Sequence, residues 1–465
     1  MTESYDVIVV GAGTAGTYLS WLLAKQGNNV LLIEKDEKEK VGKRLDVIHF
    51  ETDRIEKAGI PPFRVGDPDC IEIRETSIVA TPDFTTVFNI RALQTIVRLT
   101  PFLNRMYKIL ETDGVKLEFS CIFKELIYEK GRIVGIKTEK KGKITELFAR
   151  IVVDASGKEA FIRTSLPDDY GVETFKLGPD DVMYVLLQYI KWDDPANRIS
   201  SDTGYNWWLL WFGPSYQQDG AILGVGQPGS FKNAELARED FLKRANVPPY
   251  KVIKEELGMT PYRRSPYSLV ADGFLCIGDA AAITYPFSGH GVTATWMLCM
   301  IAAEVIGREL KKQGYLTRER LWEVNVNYFK DQGAKFASLY MQLSGVLNFK
   351  EKEWNYFLKK GLIYKTGDEE EVPEPNKEYE EEMNFAELIR FLGKLLWGII
   401  KGKLTIKHIV RLIGANGLAG KIKKHYENYP DDINNFTKWV REAEKLWKKK
   451  KVAIKRLPNA TIDYP

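Results

Sequence analysis

The chain has 465 residues, enough to bury a large core and to divide into two or three domains, and its 44% apolar content is that of a folded protein. With 67 Lys and Arg against 63 Asp and Glu the formal net charge is +4, and the basic residues lack the Arg-aromatic interleaving of a nucleic-acid binder. No uninterrupted apolar run reaches the roughly 20 residues that cross a bilayer, and the first strand pattern starts so close to Met1 that no signal peptide is expected, which points to the cytoplasm.

The run Tyr5-Asp6-Val7-Ile8-Val9-Val10 reads as a buried strand. It is followed by Gly11-Ala12-Gly13-Thr14-Ala15-Gly16, a helical pattern, and a second strand Val30-Leu31-Leu32-Ile33 that ends at Glu34. Strand, glycine turn, helix, strand and carboxylate in this order form a dinucleotide-binding unit. Gly11 permits the turn, Gly13 lets backbone approach a pyrophosphate, and Gly16 lets helix and strand pack closely, while N–H groups at the helix start face the anion. Glu34 falls where it can accept both ribose hydroxyls, and its charge argues against a 2′-phosphate there.

A helix-rich and loop-rich stretch follows from Lys38 to about Pro68, then alternating patterns from Cys70 to Val79 and from Thr85 to Asn89 that predict strands. Arg91 to Tyr107 has helical periodicity. A strand and a hairpin turned at Lys130-Gly131 are predicted between Val115 and Thr138, and the strand through Val152-Val153-Asp154 closes in Ala155-Ser156-Gly157. Met183 to Ile190, Trp207 to Phe212 and Ala221 to Val225 predict further strands. Gly273 to Asp279 reads as a buried strand stopping at Gly-Asp, with a long helix from about Gly291 to Gln313 and mostly helix thereafter. The acidic, proline-interrupted segment Asp368 to Glu382 reads as an exposed linker, beyond which the tail from Lys401 carries 16 Lys and Arg against 6 Asp and Glu.

The nucleotide-binding elements are therefore discontinuous. The expected architecture is α/β: a discontinuous Rossmann-type dinucleotide-binding domain from residues 1–170 and 265–320, a strand-rich substrate domain from 171–264 joined by part of 40–90, and a helical C-terminal region over 321–465.

The glycine turn with Glu34, the Val153-Asp154-Ala155-Ser156-Gly157 run with Arg163 after it, and Gly278-Asp279-Ala280-Ala281 leading to Tyr285-Pro286-Phe287-Ser288-Gly289-His290-Gly291 together resemble the FAD-dependent geranylgeranyl reductases of archaea and phototrophs. These belong to the flavoprotein group containing p-hydroxybenzoate hydroxylase, and the resemblance covers nearly the whole chain. It implies FAD contacts from Gly11, Gly13, Thr14, Ala15, Gly16, Glu34 and Lys35 at the first unit, and from Arg44 in the loop beyond it. Arg91 would open a helix whose arginine approaches the cofactor, Phe123 would lie on the strand meeting the adenine, and Asp154 and Gly278 would belong to the cofactor loops. Asp279 would face the ribityl or pyrophosphate region, with Pro286, Gly289, His290, Gly291 and Val292 against the isoalloxazine. An aromatic strand motif of the family is similar to Tyr205, Trp207, Trp208, Trp211, Phe212 and Pro214 followed by Gly224 and Gly226, with Gly213 inserted. By resemblance Trp208, Trp211, Phe212 and Tyr285 would line a tunnel for an apolar chain; read alone, the cluster is equally an aromatic core face. Leu45 stands where many members carry a cysteine beside the flavin.

Of the four histidines, His49, His290, His408 and His425, no pair has metal-ligand spacing, so no metal site is expected, and the four cysteines read as buried thiols. Only His290 is a chemical candidate, as a proton donor near neutral pH, against the blander reading in which its backbone alone matters. The segment Asn384 to Lys401 puts Leu388, Phe391, Leu392, Leu395, Leu396 and Ile399 on one helical face, a pattern for packing on its own domain or for a membrane surface. The resemblance implies saturation of polyprenyl double bonds in isoprenoid lipid biosynthesis, with a prenyl lipid or prenyl diphosphate as substrate and ferredoxin or NAD(P)H as electron donor, peripherally at the inner membrane face. A flavin monooxygenase or halogenase, and an electron-transfer flavoprotein serving a membrane quinone, are the rival readings.

Overall fold

Residues 4–347, 349–363 and 385–449 are described by a computed structural model, with the side chains of 385–388 excepted. The acidic segment Asp368 to Glu382 and the side chain of Leu388 thus lie outside the described residues. The first unit runs β1 (Ser4–Val10), α1 (Thr14–Ala24) and β2 (Val30–Ile33), its two strands parallel with Val7 opposite Val30. Both strands are apolar on both faces because helices cover the sheet on either side.

The stretch after it is less loop-like than its composition suggests, since it contains β3 (Val47–Glu51) and α2 (Thr52–Lys57). Next come β4 (Cys70–Ala80) and β5 (Val87–Arg98), then α3 (Leu99–Thr112). Arg91 therefore does not open a helix: it sits mid-strand in β5, exposed and opposite Thr76. Pro101 explains the boundary. It can occupy the first helical turn but cannot supply the N–H that an earlier helix start would require, and the β-branched run Thr95-Ile96-Val97 favours strand up to that point. Arg98, the residue just before α3, takes the place expected of Arg91.

The chain returns through β6 (Lys116–Glu118), the hairpin β7 (Ile122–Glu129) and β8 (Arg132–Lys140), and β9 (Lys143–Asp154). Lys130 and Gly131 both have positive φ, 50° and 79°, as the tight hairpin turn requires. Then follow β10 (Val182–Trp192), β11 (Thr203–Tyr205), β12 (Leu210–Pro214), β13 (Gly220–Pro228), α4 (Phe231–Arg244), β14 (Tyr250–Pro261), β15 (Val270–Ala271) and β16 (Phe274–Cys276). The C-terminal part is helical: α5 (Val292–Leu310), α6 (Arg318–Tyr328), α7 (Ala334–Val346), α8 (Glu351–Lys359), α9 (Phe385–Ile400), α10 (Ile406–Glu427) and α11 (Phe436–Trp447).

Two eight-stranded sheets result. The first has the order β15-β16-β9-β1-β2-β6, with the β7–β8 hairpin joined to β9, so three segments distant in sequence supply its centre. The second has the order β14-β10-β13-β12-β11-β4-β5-β3 and takes three strands from residues 47–98. It curls until its end strands meet, because the backbone N–H of Asp46, just before β3, donates to Glu256 Oε2 of β14 at 2.9 Å. Asp46 also pairs with Arg98 at 3.0 Å, and Tyr189 donates its hydroxyl to Glu256 Oε2 at 2.9 Å.

Strand alternation gives this curled sheet two different faces. On β12, Leu210 and Phe212 point outward into an aromatic core against α4 and the C-terminal helices, while Trp211 joins the inner cluster with Val185, Leu187, Tyr189 and Ile222. Trp207 and Trp208 precede β12 in a turn that ends at Leu209, φ 51°, and are not strand residues.

Candidate active site

The glycine turn is a cradle shaped by contacts that only glycine allows. Gly11 has φ 110°, and a Cβ there would lie 2.2 Å from the Ala155 carbonyl oxygen; one on Gly16 would lie 2.0 Å from the Gly11 carbonyl. Gly13 differs: a Cβ there would meet nothing within 4 Å. The start of α1 has no side-chain cap and no acidic residue in its first turn, so its N–H groups face open space beside Gly13. Unfilled space at a bare helix N-terminus is what a pyrophosphate needs, and the residues fit the ADP half of FAD. Glu34 stands at the rim, held by N–H donors from Ala12 to Oε2 at 2.9 Å and from Asp36 to Oε1 at 3.0 Å. Next to it, Cys121 donates its N–H to the Glu34 carbonyl, which brings the start of β7 and Phe123 to the same edge. Lys35 and Arg44 are exposed nearby, Lys35 paired with Asp36.

A second pair of loops closes on this cradle. Gly278, φ 63°, would place a Cβ 3.0 Å from that of Ala15, so the Gly-Asp turn lies against the start of α1. Asp279 follows, close to Gly291 at the start of α5, and burial pushes its carboxyl up to about 6. Asp154 lies in the loop packed against the Gly11 turn. It is fully buried, and its carboxylate accepts from the N–H and hydroxyl of Ser156 and from the N–H of Arg163 at 2.7 Å, so it braces its own loop and faces no ligand space. Arg163, also buried, donates to the carbonyls of Ala280, Glu173 and Phe175, which locks the two loops together.

The loop after Asp279 carries a titratable group with a charged partner across the fold. His290 Nδ1 lies 3.0 Å from Glu51 Oε1, and Thr293, in the first turn of α5, donates its hydroxyl to the other oxygen of Glu51. Burial works against charge on both groups, but the mutual attraction and hydrogen bond outweigh it: Glu51 is held at about 2 and His290 is raised above the usual histidine range. His49, two residues from Glu51 on β3, goes the other way. Burial, then the cations of Arg74 and His290, hold its imidazole well below the usual range. Two histidines near one carboxylate are thus shifted in opposite directions, an arrangement suited to acid–base work.

His49 also reports how far the sheet curls, since its Nε2 is 3.7 Å from where a Cβ on Gly213 would stand. The inner face here is low and apolar. The Trp211 ring fills the space above Gly224, 2.3 Å from a would-be Cβ, and Leu45 fills that above Gly258, 2.5 Å away, while a Cβ on Gly226 would have nothing closer than 3.9 Å. Of the expected tunnel residues, only Trp211 is on this face. Trp208 and Phe212 are fully buried in the outer core against Phe241, with the Trp208 indole N–H donating to Asp240 Oδ2 at 2.9 Å. Tyr285 is buried edge-on against Phe336.

The FAD binding domain family matches residues 4–200. The digeranylgeranylglycerophospholipid reductase of Sulfolobus acidocaldarius is 24% identical over 461 residues, covering 95% of this chain and 97% of that one. This chain is an FAD-dependent oxidoreductase similar to the geranylgeranyl reductases. Among solved structures, a geranylgeranyl bacteriochlorophyll reductase-like protein of Thermoplasma acidophilum superposes with a TM-score of 0.70 at 16% identity, covering 86% of this chain and 99% of that one. A flavin-dependent brominase superposes with a TM-score of 0.58 at 15% identity, over 96% and 100% of the two chains. The reductase and the brominase share the fold, so the fold alone does not choose between alkene reduction and oxygen chemistry.

Glu51, Thr293, His49, Asp46 and Arg98 were not legible as site residues. Glu51 and His290 are 239 positions apart, and no local pattern marks either as the other's partner.

Proposed function

We propose that this flavoenzyme saturates the double bonds of geranylgeranyl chains on an archaeal-type glycerophospholipid. The observation that carries this is the extent of the likeness to the Sulfolobus reductase. It continues past the FAD-binding elements through the curled sheet and the C-terminal helices, which nucleotide binding does not require. The largely apolar inner face around Trp211, Leu45 and Val185 offers van der Waals contact to an isoprenoid chain. Bound FAD, once reduced by an external electron donor, supplies hydride to one alkene carbon.

The chain's own contribution is position and a proton. Gly11, Gly13 and Gly16 cradle the pyrophosphate, Glu34 meets the ribose, and the inner sheet face excludes water from the alkene. His290 is assigned as the acid that protonates the second alkene carbon: Glu51 holds its Nδ1, which keeps the ring cationic and leaves Nε2 to donate. Reduction that depends on this proton should fall as pH rises through the raised His290 value. In Glu51→Gln the attraction is gone and burial alone acts, so the fall should move to lower pH while FAD content is retained. A pH–rate profile of chemically reduced enzyme checks this, and an unchanged profile would reject His290 as the acid.

The reaction itself is tested by anaerobic reduction and incubation with digeranylgeranylglycerophospholipid. Product mass rising in steps of about two daltons, one hydride and one proton per alkene, supports the reductase, while oxygen incorporation would move the chain to the monooxygenase class. Such a substrate partitions into bilayers, so the enzyme would work at a membrane surface.

A further inference from the structure

Helix α9 is mostly apolar, and only part of its apolar surface is used by the fold. Leu395 is buried, a Cβ on Gly398 would lie 2.6 Å from Leu404 and 2.7 Å from Tyr356, and the Tyr356 hydroxyl donates to the Lys394 carbonyl at 2.7 Å. The sequence pattern that put Leu392 and Leu396 on one face with Phe391, Leu395 and Ile399 is split by the structure. The latter three pack on the protein, and Ile389, Leu392, Leu396, Trp397 and Ile400 are 48–66% exposed. Helix α10 repeats the arrangement: Ile409, Leu412 and Ala415 are buried, while Ile406, Val410 and Ile413 are exposed at i, i+4 and i+7 along one stripe. Eight large apolar side chains exposed on consecutive helices far exceed the scattered single residues of an ordinary surface.

The charge around this face says what covers it. From Leu388 to Tyr426 there are nine Lys and Arg and no Asp or Glu. Lys401 lies over the Trp397 ring at 4.6 Å, and Lys403 and Lys407 are exposed beside it. A protein partner or a second copy of this chain would have to meet the exposed cations Lys401, Lys403 and Lys407 at the edge of this face, whereas an anionic bilayer supplies apolar depth and phosphate together. Tryptophan with a neighbouring lysine at the boundary is the side-chain pair that sits at the headgroup level. Among the described residues no helix is long and apolar enough to cross a membrane, so the contact is face-on. The helices rest on the same apolar cluster that backs the outer face of the curled sheet, which joins the contact rigidly to the proposed substrate side.

We infer that the exposed face of α9 and the first half of α10 is the surface by which this enzyme docks on anionic lipid bilayers. The inference deepens the proposed lipid-reductase reading, on which it rests. The test uses full-length, FAD-loaded protein and vesicles without substrate, of phosphatidylglycerol or of phosphatidylcholine. Co-sedimentation with the anionic vesicles is expected, weaker with phosphatidylcholine and in high salt. Leu396→Glu with Trp397→Glu should weaken it about tenfold or more, and Lys401→Glu with Lys403→Glu and Lys407→Glu roughly fivefold per lysine. The lysine variant, entirely on the exposed surface, decides the matter even if the first variant loses its fold. Both variants should keep FAD and should reduce detergent-dispersed substrate as the parent does. Binding of either folded variant at parental strength overturns the inference, as does a parent that ignores vesicles or forms a dimer that the substitutions dissociate. Vesicle binding without alkene reduction would instead overturn only the proposed reaction.

Discussion

Gly13→Val is expected to strip FAD from the protein while leaving the apo fold standing. The three glycines of the turn look equivalent in sequence, but their surroundings differ. Gly11 has φ 110°, and Gly11 and Gly16 would each drive a Cβ to within 2.2 Å of a backbone oxygen, so alanine at either position strains the fold itself. Gly13 has an ordinary φ of −73° and open space around its missing Cβ, so valine there costs the apo protein little and occupies the space the pyrophosphate must enter. Losing two charge-assisted hydrogen bonds at about 1.5 to 3 kcal/mol each weakens binding by about 100-fold or more. The stabilisation that bound cofactor adds, about 2.7 kcal/mol at a hundredfold excess over Kd, should vanish with it. Flavin absorbance of the purified variant and its melting temperature against the FAD-stripped parent check both halves. A yellow, cofactor-stabilised Gly13→Val protein would displace the pyrophosphate from this turn.

Trp208→Ala and Trp211→Ala should separate cleanly, although the two residues are three apart in an aromatic cluster. Trp208 is fully buried, stacked on Phe84 and edge-on to Trp207 and Phe241, with its indole N–H donating to Asp240. Its removal leaves a large cavity and takes one hydrogen bond from Asp240, a loss of about 3 to 5 kcal/mol. Trp211 lies on the inner face above Gly224, and its ring can be removed without opening the outer core. The expected outcome is a sharply lowered melting temperature for Trp208→Ala. Trp211→Ala should be a near-parental, FAD-loaded protein with impaired reduction of long prenyl chains. Parental reduction by stable Trp211→Ala would remove the inner face from the substrate path.

The first βαβ unit was legible because every requirement of a dinucleotide turn is local. Strand, glycine, helix start and Glu34 fall within about one supersecondary unit, and hydrophobic periodicity marks their boundaries. The Gly-Asp turn and the long helix α5 were legible for the same reason. Arg91 was misplaced because alternation and helical periodicity overlap from Ile90 to Val97, and only the pairing of β5 with β4 and β3 decides the outcome. The aromatic motif identified a real cluster, but strand register alone decides that Trp211 faces inward and Phe212 outward.

By itself, then, the sequence determined the α/β class, the dinucleotide-binding turn and the discontinuous order of the nucleotide-binding strands. All of these follow from spacing along the chain. Tertiary structure alone decided that the Asp154 carboxylate braces its own loop, that the strand-rich sheet curls until Asp46 reaches Glu256, and that Glu51 stands beside His290. It also split the apolar surface of α9 between a buried and an exposed side. The physical reason is the same in each case. Burial, charge pairing and sheet closure depend on which distant residues share a few ångströms, and neither helical nor strand periodicity carries that information across 200 residues.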